Sequence, residues 1–447
     1  MRDVPGGAPE HGEDERVDAH HRKGVDERPD DSERRALVPL PDLTAKERPQ
    51  QLAIAGQPVE PRERCRAGDV DCHTGRILSA FEGHLRVVID VSPLSVPRTG
   101  IGNYVRGLLA GLLEVGGDRH EVVAFGLSGP SGCRRIREAL DGLPAELRLP
   151  LLPRAKWWRS GWSRLGRPPV ESVVGPLDVF HFSDWMYPSQ RRGARVTTVH
   201  DLVPLRFPDL VERRTRRMHA PKYENAARTC DLLFADSHFT ASELKELLNV
   251  PSERIAVAYP GVDPIFTPEG PRKDLGGPYV LAVSTLEPRK NLPTLIEGFG
   301  LLRRDRPELT LALVGHAGWE RRSLVAEGVR LLGYVPNDEL AAIYRGAAAS
   351  AYPSRFEGFG LPVVEALASG IPAVASSHPS LDEACGDAAL RADPDEPEAF
   401  ADALEQALDG PPSLRARGLA HAAQFTWRAL GEAVLAGYES ALPDSSA

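Results

Sequence analysis

The stretch SRFEGFGLPVVE, residues 354–365, links a predicted buried strand to a predicted helix. The apolar run at 347–352 before it is typical of a strand in a sheet core, and residues 361–369 predict a helix. Pro362 suits the first turn of this helix, and Gly370 suits its C-terminal cap. A strand that turns through two glycines into a helix is typical of an α/β fold, and the rest of the chain follows this pattern.

The helix that starts at Leu361 lacks a side-chain cap, because Gly360 precedes it where Ser, Thr, Asp or Asn would be expected. A glycine-lined helix N-terminus with unpaired N–H groups favours a bound phosphate. Glu357 and Glu365 flank the turn, and carboxylates beside a phosphate must contact hydroxyl or amine groups instead. This combination indicates a nucleotide sugar. In the competing structural interpretation, Glu365 only complements the helix dipole and Glu357 is an exposed loop residue.

Two series of alternating strands and helices account for most of the chain. The first has predicted strands at 85–91, 121–125, 177–182, 195–199, 232–235 and 255–258, and helices near 102–114, 211–229 and 238–249. The second has strands at 279–283, 309–314, 329–332, 347–352 and 372–375, and helices near 291–303, 337–346, 361–369 and 396–408. Strands separated by crossover helices predict two parallel, doubly wound sheets, with a ligand cleft between the carboxyl ends of their strands.

The predicted domain organisation has five parts. Residues 1–84 form either a disordered extension or an artefact of start-codon assignment, because their charged, Pro- and Gly-rich sequence cannot bury enough apolar surface to fold. A first α/β domain follows at 85–265, then a linker at 266–277 and a second α/β domain at 278–425. A helical C-terminal segment covers 426–447.

The composition excludes several classes of protein. The chain has 447 residues, of which 42% are hydrophobic and 26% charged, as in soluble globular proteins. A net charge of −9 argues against general nucleic-acid binding, so no nucleic-acid partner is expected. The five cysteines are scattered without a CxxC pair, which predicts a reducing environment and no zinc site. Because the sequence also has no apolar run of bilayer length and no signal-peptide pattern, we expect a cytoplasmic protein.

The first-domain loop RTGIGN, residues 98–103, follows the first strand and opens the first helix. Gly100, Ile101 and Gly102 would let the backbone approach a phosphate or a sugar closely, although such turns are also common for structural reasons alone. The loop lacks the third glycine of a dinucleotide fingerprint, and residues 126–128 after the second strand hold no acidic residue for a ribose. An NAD-dependent enzyme is therefore disfavoured.

Two further pairs of residues follow predicted strands. His200 and Asp201 follow the strand at 195–199, where open α/β sheets place functional groups. His200 either hydrogen-bonds a reacting sugar, with Asp201 orienting the loop, or is a satisfied buried imidazole. Arg289 and Lys290 precede a helix whose dipole disfavours cations by about 0.3–1 kcal/mol each. Their position favours a bound diphosphate over a solvated surface pair, with Arg289 binding bidentately and Lys290 acting as a point charge.

Two basic segments have two interpretations each. Residues 156–164, KWWRSGWSR, either lie at a membrane interface or form a loop whose tryptophans pack on the first domain, which we favour. Residues 213–217, RRTRR, are interpreted as a solvated helix face that could also meet an anionic acceptor or a lipid headgroup. A peripheral contact with the inner membrane is thus left open.

The chain resembles the retaining glycosyltransferases of family 4, which have the GT-B fold, and among them the mannosyltransferase-B-like branch of bacterial polysaccharide enzymes. The resemblance runs from about residue 85 to residue 430. It rests on Glu357 and Glu365 with seven residues between them, and on TGIG at 99–102, VHDL at 199–202, YPGVD at 259–263 and LEPRKN at 286–291. Pro260 departs from the family, which usually has Asn there.

The resemblance implies a role for each matching residue. Arg289 and Lys290 would neutralise the donor diphosphate in place of a metal ion, so neither a metal nor a cofactor is expected. Glu365 would hold the ribose hydroxyls, Glu357 would contact the hexose hydroxyls, and His200 would lie near the anomeric carbon. The other donor-binding positions would be Gly100, Ile101, Gly102, Asp201, Tyr334, Val335, Gly358, Phe359, Gly360 and Leu361. The last helix would cross back onto the first domain.

The implied activity is transfer of a hexose from a nucleotide sugar, with retained configuration, to a hydroxyl of a glycan or lipid-linked glycan in cell-surface polysaccharide synthesis. The branch favours GDP-mannose as the donor, with UDP- and dTDP-sugars close behind. Another GT-B enzyme, such as a nucleotide-sugar epimerase, and a nucleotide-sugar-binding protein without chemistry are the alternatives. The first domain's acceptor loops follow no pattern that identifies the acceptor.

Overall fold

The computed structural model describes residues 83–443, except for 98–99, 152, 184–185, 209–210, 212 and 316–323, and describes only the backbone at 156 and 213–218. The predicted extension at 1–84 therefore lies almost wholly outside the described residues, as do Arg98 and Thr99 of the first-domain loop. The side chains of the basic segment at 213–217 lie outside them too, so the contacts expected for that segment stay predictions.

The first sheet has seven parallel strands in the order β3-β2-β1-β4-β5-β6-β7. They are β1 (Arg86–Asp90), β2 (Glu121–Phe125), β3 (Glu146–Arg148), β4 (Val179–Phe182), β5 (Ala194–Val199), β6 (Leu232–Ala235) and β7 (Ile255–Val257). The helices of this half are α1 (Gly100–Gly116), α2 (Pro130–Ala139), α3 (Ala155–Leu165), α4 (Glu171–Val174), α5 (Val203–Arg206), α6 (Arg213–Thr229) and α7 (His238–Leu248). Alternate residues of β1 enter different cores, Val87 and Ile89 on one face and Val88 on the other, because the sheet is covered on both faces.

The second sheet has six parallel strands in the order β10-β9-β8-β11-β12-β13. They are β8 (Tyr279–Val283), β9 (Thr310–Val314), β10 (Val329–Gly333), β11 (Ala349–Tyr352), β12 (Ala373–Ser376) and β13 (Leu390–Ala392). The helices are α8 (Leu292–Leu302), α9 (Asn337–Gly346), α10 (Leu361–Ala368), α11 (Asp382–Cys385), α12 (Pro397–Leu408), α13 (Pro412–Ala422) and α14 (Trp427–Ala441). Both sheets reverse their strand order beside the first strand, which opens a crevice at the carboxyl ends there.

The predicted fold class of two parallel, doubly wound sheets is confirmed. The structure contains no strand or α-helix between Val257 and Tyr279, where the linker is predicted. The sequence missed the edge strands β3 and β13, the helices α2 and α13, and the four-residue helices α4, α5 and α11. Each missed strand has only three residues and is partly exposed, so neither has the continuous apolar run that identifies a buried strand.

The expectation of a loop at 156–164 is wrong, because these residues belong to α3. This helix ends before Gly166, whose φ of 61° suits a helix C-terminus. Trp162 is buried against Phe125, with ring centroids 6.2 Å apart, but Trp157 and Trp158 are 79% and 58% exposed. One of the three tryptophans therefore packs on the first domain. Among the described residues, no helix is both long and apolar enough to cross a bilayer.

The last helix, α14, packs against α1. It contributes Leu430 and Tyr438 to the core that also contains residues of β1, and the Tyr438 hydroxyl lies 2.7 Å from His181 Nδ1. The two helices approach so closely that a Cβ on Gly111 would lie 1.9 Å from the carbonyl oxygen of Trp427. The chain thus returns to its first sheet after it has completed the second.

Candidate active site

A cavity of about 340 Å³ lies between the carboxyl ends of the two sheets. Except for Gly102 and Arg289, all of the predicted site residues line it: Gly100, Ile101, His200, Asp201, Lys290, Tyr334, Val335, Glu357, Gly358, Phe359, Gly360, Leu361 and Glu365. These residues come from distant parts of the chain, and they meet because the carboxyl ends of parallel strands share one edge of a sheet. Gly102 is instead buried within α1.

The second-domain wall of the cavity contains a buried ion pair. Since β8 and β11 are neighbours in the sheet, the loops that follow them lie side by side. Lys290 Nζ lies 2.5 Å from Glu357 Oε1 and donates to the Tyr352 hydroxyl at 2.9 Å. Among the described residues these are its two hydrogen-bond partners, whereas an ammonium group has three N–H donors. The third donor is available to a ligand in the cavity.

Arg289 lies behind this ion pair. Its guanidinium contacts Glu357 Oε2 at 2.9 Å, and it donates to the Phe356 carbonyl oxygen at 2.6 Å and to Glu287 Oε1 at 3.1 Å. Arg289 is absent from the cavity lining described above, so in this structure it holds Glu357 in place. Its predicted contact with a diphosphate stays a prediction.

Glu357 is held as a carboxylate. Burial by itself would raise the pKa of this carboxyl group, but Arg289 and Lys290 outweigh burial and hold the pKa of Glu357 at about 2. Ser354 Oγ lies 2.5 Å from Oε1, and the backbone N–H of Glu357 donates to Ser380 Oγ at 2.9 Å. The interpretation of Glu357 as an exposed loop residue is therefore wrong.

The N-terminus of α10 meets the cavity without a side-chain cap, as the sequence predicted. Gly360 occupies the N-cap position with a φ of 104°, a left-handed conformation that favours glycine. Gly370, with a φ of 70°, follows the other end of the helix. Because Gly360, Leu361 and Pro362 all line the cavity, the uncapped helix end is accessible to an anion.

Glu365 lines the cavity from the second turn of α10. It is too far along the helix to complement the dipole at the first turn, so that structural interpretation is wrong. The Tyr344 hydroxyl donates to Glu365 Oε2 at 3.1 Å. Burial raises the pKa of Glu365 to about 7, although the hydrogen bond from Tyr344 opposes this shift. The carboxyl group therefore changes its charge near neutral pH.

The first-domain wall contains a hydrogen bond between His200 and Asp236. The preceding residues, Val199 and Ala235, are paired in the sheet, which places the two side chains next to each other. His200 Nδ1 lies 2.8 Å from Asp236 Oδ2, and the imidazole ring meets the Tyr104 ring edge-on with centroids 4.6 Å apart. A carboxylate beside Nδ1 favours a proton on that nitrogen and fixes the orientation of the ring. His200 also lines the cavity, so its predicted contact with a sugar is sterically possible and stays a prediction.

The two walls touch at Gly358. A Cβ at this position would lie 1.6 Å from the carbonyl oxygen of His200, so glycine is required. Ser237 Oγ and Thr240 Oγ1 donate to the Gly358 carbonyl oxygen at 2.5 and 3.1 Å. From the second domain, Glu383 accepts the first two backbone N–H groups of α7 at 2.8 and 3.0 Å. These contacts fix the width of the cleft.

Sequence reasoning missed several cavity residues. Asp236 directly follows a correctly predicted strand, so the strand-end rule that selected His200 would have found it. Tyr352 is the last residue of β11 and had the same signal. Ser284 also directly follows a correctly predicted strand. The remaining polar residues carry no distinctive sequence signal: Asn103, Tyr104, Thr285 and Asn337.

Comparisons with known proteins match both halves of the chain. A family model described as Glycosyltransferase Family 4 matches residues 98–266, and one described as Glycosyl transferases group 1 matches residues 266–423. The O-antigen chain mannosyltransferase B of Escherichia coli is 30% identical over 382 residues, which cover 77% of this chain and 96% of that protein. This chain is a family 4 glycosyltransferase. The resemblance seen in the sequence is thereby confirmed.

Further comparisons match this family 4 glycosyltransferase with another glycosyltransferase and with a solved structure. The D-inositol 3-phosphate glycosyltransferase of Thermobispora bispora is 31% identical over 306 residues, which cover 60% of this chain and 72% of that protein. The structure of Anabaena Alr3699/HepE in complex with UDP and glucose matches with a TM-score of 0.59 at 16% identity, covering 79% of this chain and 98% of that one. At this identity the structural likeness concerns the fold alone, and it confirms the predicted GT-B architecture.

Proposed function

We propose that this glycosyltransferase moves mannose from GDP-mannose, with retained configuration and without a metal ion, to a hydroxyl of a glycan or lipid-linked glycan in cell-surface polysaccharide synthesis. The observation that carries the proposal is the cavity with the buried Lys290–Glu357 pair on one wall and His200 on the other. The similarity to an O-antigen chain mannosyltransferase supports mannose as the sugar and a surface polysaccharide as the product. A cytoplasmic location, on the side where nucleotide sugars are made, belongs to the same proposal.

The donor diphosphate would bind between Lys290 and the N-terminus of α10. There it meets the third ammonium donor and the backbone N–H groups of the glycine turn. Before the donor binds, the charges of Lys290 and Arg289 are balanced by Glu357 and Glu287. Negative charge grows on the diphosphate as the glycosidic bond breaks, so the contact with Lys290 strengthens towards the transition state and lowers the barrier.

The sugar rings would be held by acceptors on both walls. Glu357 is ionised at neutral pH because its pKa is about 2, so it accepts hydrogen bonds from hexose hydroxyls. Glu365 would accept those of the ribose. On the opposite wall, His200 Nε2 would accept a hydrogen bond from a hydroxyl near the reacting carbon, with Asp236 fixing the ring. Carboxylates and an imidazole acceptor favour a polyhydroxyl ligand over an apolar one.

The configuration is retained if the acceptor hydroxyl attacks the anomeric carbon from the face on which the diphosphate leaves. The bond from the anomeric carbon to the diphosphate oxygen breaks, the acceptor oxygen bonds to the same face, and its proton passes to the departing phosphate oxygen. Glu357 is engaged by Arg289 and Lys290 together, which makes it a weak covalent nucleophile. The chain therefore acts by orienting both substrates and stabilising the leaving group.

A panel of GDP-, UDP- and dTDP-sugars, each incubated with and without mannosylated glycan acceptors, tests the proposal. We expect transfer from GDP-mannose in the presence of acceptor, and an α-linked product by nuclear magnetic resonance from the α-linked donor. An isomerised nucleotide sugar would instead identify an epimerase, and tight binding without turnover would identify a binding protein. A β-linked product would overturn retention alone.

A further inference from the structure

Helix α3 carries an exposed apolar surface on the first domain. We define the α3 face by the residues Leu151, Arg154, Trp157, Trp158, Arg164 and Leu165. Its four apolar side chains are between 58% and 79% exposed. Six of the nine large apolar side chains that are exposed in the described part of the chain lie between residues 147 and 173. Exposed apolar groups at this density mark a surface that contacts something other than water.

The charge of this surface differs from that of the whole chain. Between Glu146 and Glu171 the sequence has no acidic residue but six basic ones, Arg148, Arg154, Lys156, Arg159, Arg164 and Arg167, although the chain has a net charge of −9. Within the described structure, Arg154, Arg164 and Arg167 form no ion pair. Their charge is therefore available to an anionic surface.

The position of α3 is fixed by its inward face. Trp162 packs edge-on against Phe125, the last residue of β2, and Arg159 donates to the Leu127 carbonyl oxygen at 3.1 Å. These anchors hold α3 at the carboxyl edge of the first sheet, which is the edge that carries Gly100 and His200. The outward face and the first-domain wall of the cleft thus belong to the same end of the sheet.

We propose that the α3 face docks on the surface of an anionic lipid bilayer. Indole rings favour the boundary between headgroups and acyl chains, because they have an apolar body and one N–H donor. Arginines beside them pair with lipid phosphates, and each additional cation strengthens the attraction to an anionic leaflet. Docking in this way holds the first-domain side of the cleft close to the membrane, where a lipid-linked acceptor would be presented.

Co-sedimentation of the full chain with vesicles tests the proposal without a donor or an acceptor, so its outcome is independent of the proposed sugar transfer. We expect binding to phosphatidylcholine vesicles that contain about 30% phosphatidylglycerol, which gives them a negative surface. Binding to vesicles of phosphatidylcholine alone should be much weaker. Brominated phosphatidylglycerol should quench tryptophan emission because Trp157 and Trp158 enter the interface. Raising the salt concentration should release the protein, since exposed charges are screened.

Two double variants and two matched controls separate the apolar and electrostatic contributions. Trp157→Ser with Trp158→Ser, and Arg154→Glu with Arg164→Glu, should each weaken vesicle binding by about tenfold or more. The controls change exposed residues of the second domain, Val325→Ser and Arg417→Glu, and should bind as the unmodified protein does.

Unchanged vesicle binding by both double variants would overturn the proposal, as would binding that does not depend on the anionic lipid. The α3 face could also pair two copies of this chain. Sedimentation velocity distinguishes that case. If the protein does not bind vesicles, and if it forms a dimer that dissociates in the Trp157→Ser, Trp158→Ser variant, then the α3 face binds a second copy of the chain instead of a membrane.

Discussion

The two walls of the cleft are built from different chemistry. On the second-domain wall, Glu357 is clamped between Arg289 and Lys290, and formal charges are in direct contact. On the first-domain wall, His200 is oriented by Asp236 through a hydrogen bond. Under the proposed function, the second-domain wall would supply fixed charge for the leaving group, and the first-domain wall would orient a hydroxyl near the reacting carbon.

The largest effect should come from the charge itself. Lys290→Ala removes the donor that faces the cavity and should lower kcat by about a hundredfold to a thousandfold, as loss of a transition-state charge contact does elsewhere. The loss should be at least as severe as that in Glu365→Gln. Steady-state kinetics with saturating donor measures it, and near-normal turnover would contradict the charge-bearing role of this wall.

A double variant separates the contribution of Lys290 to catalysis from its contribution to stability. Lys290→Ala leaves the carboxylates of Glu357 and Glu287 with the single cation Arg289, which should lower the melting temperature. Adding Glu357→Gln restores local neutrality and should recover much of the stability without recovering turnover. If the double variant regained activity, the effect of the single change would be structural.

The second largest effect on activity should come from changing the contact between the two walls at Gly358. Gly358→Ala places a Cβ within 1.6 Å of the His200 carbonyl oxygen, so the walls must separate, and kcat/KM should fall by about a hundredfold. Gly300→Ala is the matched control, because that glycine lies in α8 with open space around its Cβ position. Equal kinetics for the two variants would show that the width of the cleft is unimportant.

The orienting wall should show a smaller effect. Asp236→Asn keeps the shape of the side chain but no longer stabilises a proton on His200 Nδ1, so kcat should fall by about tenfold to a hundredfold with little change in the donor KM. The dependence of kcat on pH should change as well, which a purely structural role would leave alone. Asp231→Asn, at the opposite end of β6, should leave both unchanged.

The smallest effect should be at Glu365, and it should depend on pH. With a pKa of about 7 the carboxyl group is protonated below neutrality, so the donor KM should rise as the pH falls below 7. Glu365→Gln should raise the donor KM by about tenfold at pH 8, which corresponds to the loss of a hydrogen bond to a charged group, and should abolish this pH dependence. A donor KM that is independent of pH in the unmodified enzyme would contradict the assignment.

Glu365→Gln should weaken donor binding but increase the stability of the protein. Folding raises the pKa of Glu365 above its ordinary value, so the unmodified protein loses stability as the pH rises from about 4.5 through 7. Glu365→Gln avoids that loss and should be more stable by about 2–3 kcal/mol at pH 8, with no advantage at pH 4. Urea unfolding at the two pH values measures the difference.

The sequence identified the second-domain wall more completely than the first-domain wall, for a physical reason. Glycines, an uncapped helix and cations at a helix N-terminus are locally unfavourable unless a ligand compensates them, so Lys290 and Glu357 stood out. Their mutual contact was not predicted, because it depends on the adjacency of β8 and β11. The partnership of His200 with Asp236 likewise depends on the pairing of β5 and β6.

The α3 segment illustrates the limit of composition as a guide. Its tryptophans and arginines suggested a loop packed on the domain, but the structure has a helix with Trp162 inward and Trp157 outward. Helical spacing decides which of several similar side chains is buried, and the interrupted pattern of this short segment left that choice open.

The packing of α14 on α1 has a consequence for the order in which the protein can fold during synthesis. Leu430 and Tyr438 belong to the same core as β1, so the ribosome has to pass residue 438 before the first domain can close around them. The second sheet, whose strands lie between Tyr279 and Ala392, is finished earlier. The half of the enzyme that is made first is therefore completed last. Until then its apolar core is exposed, and it stays soluble only if aggregation is slow or chaperones cover that surface.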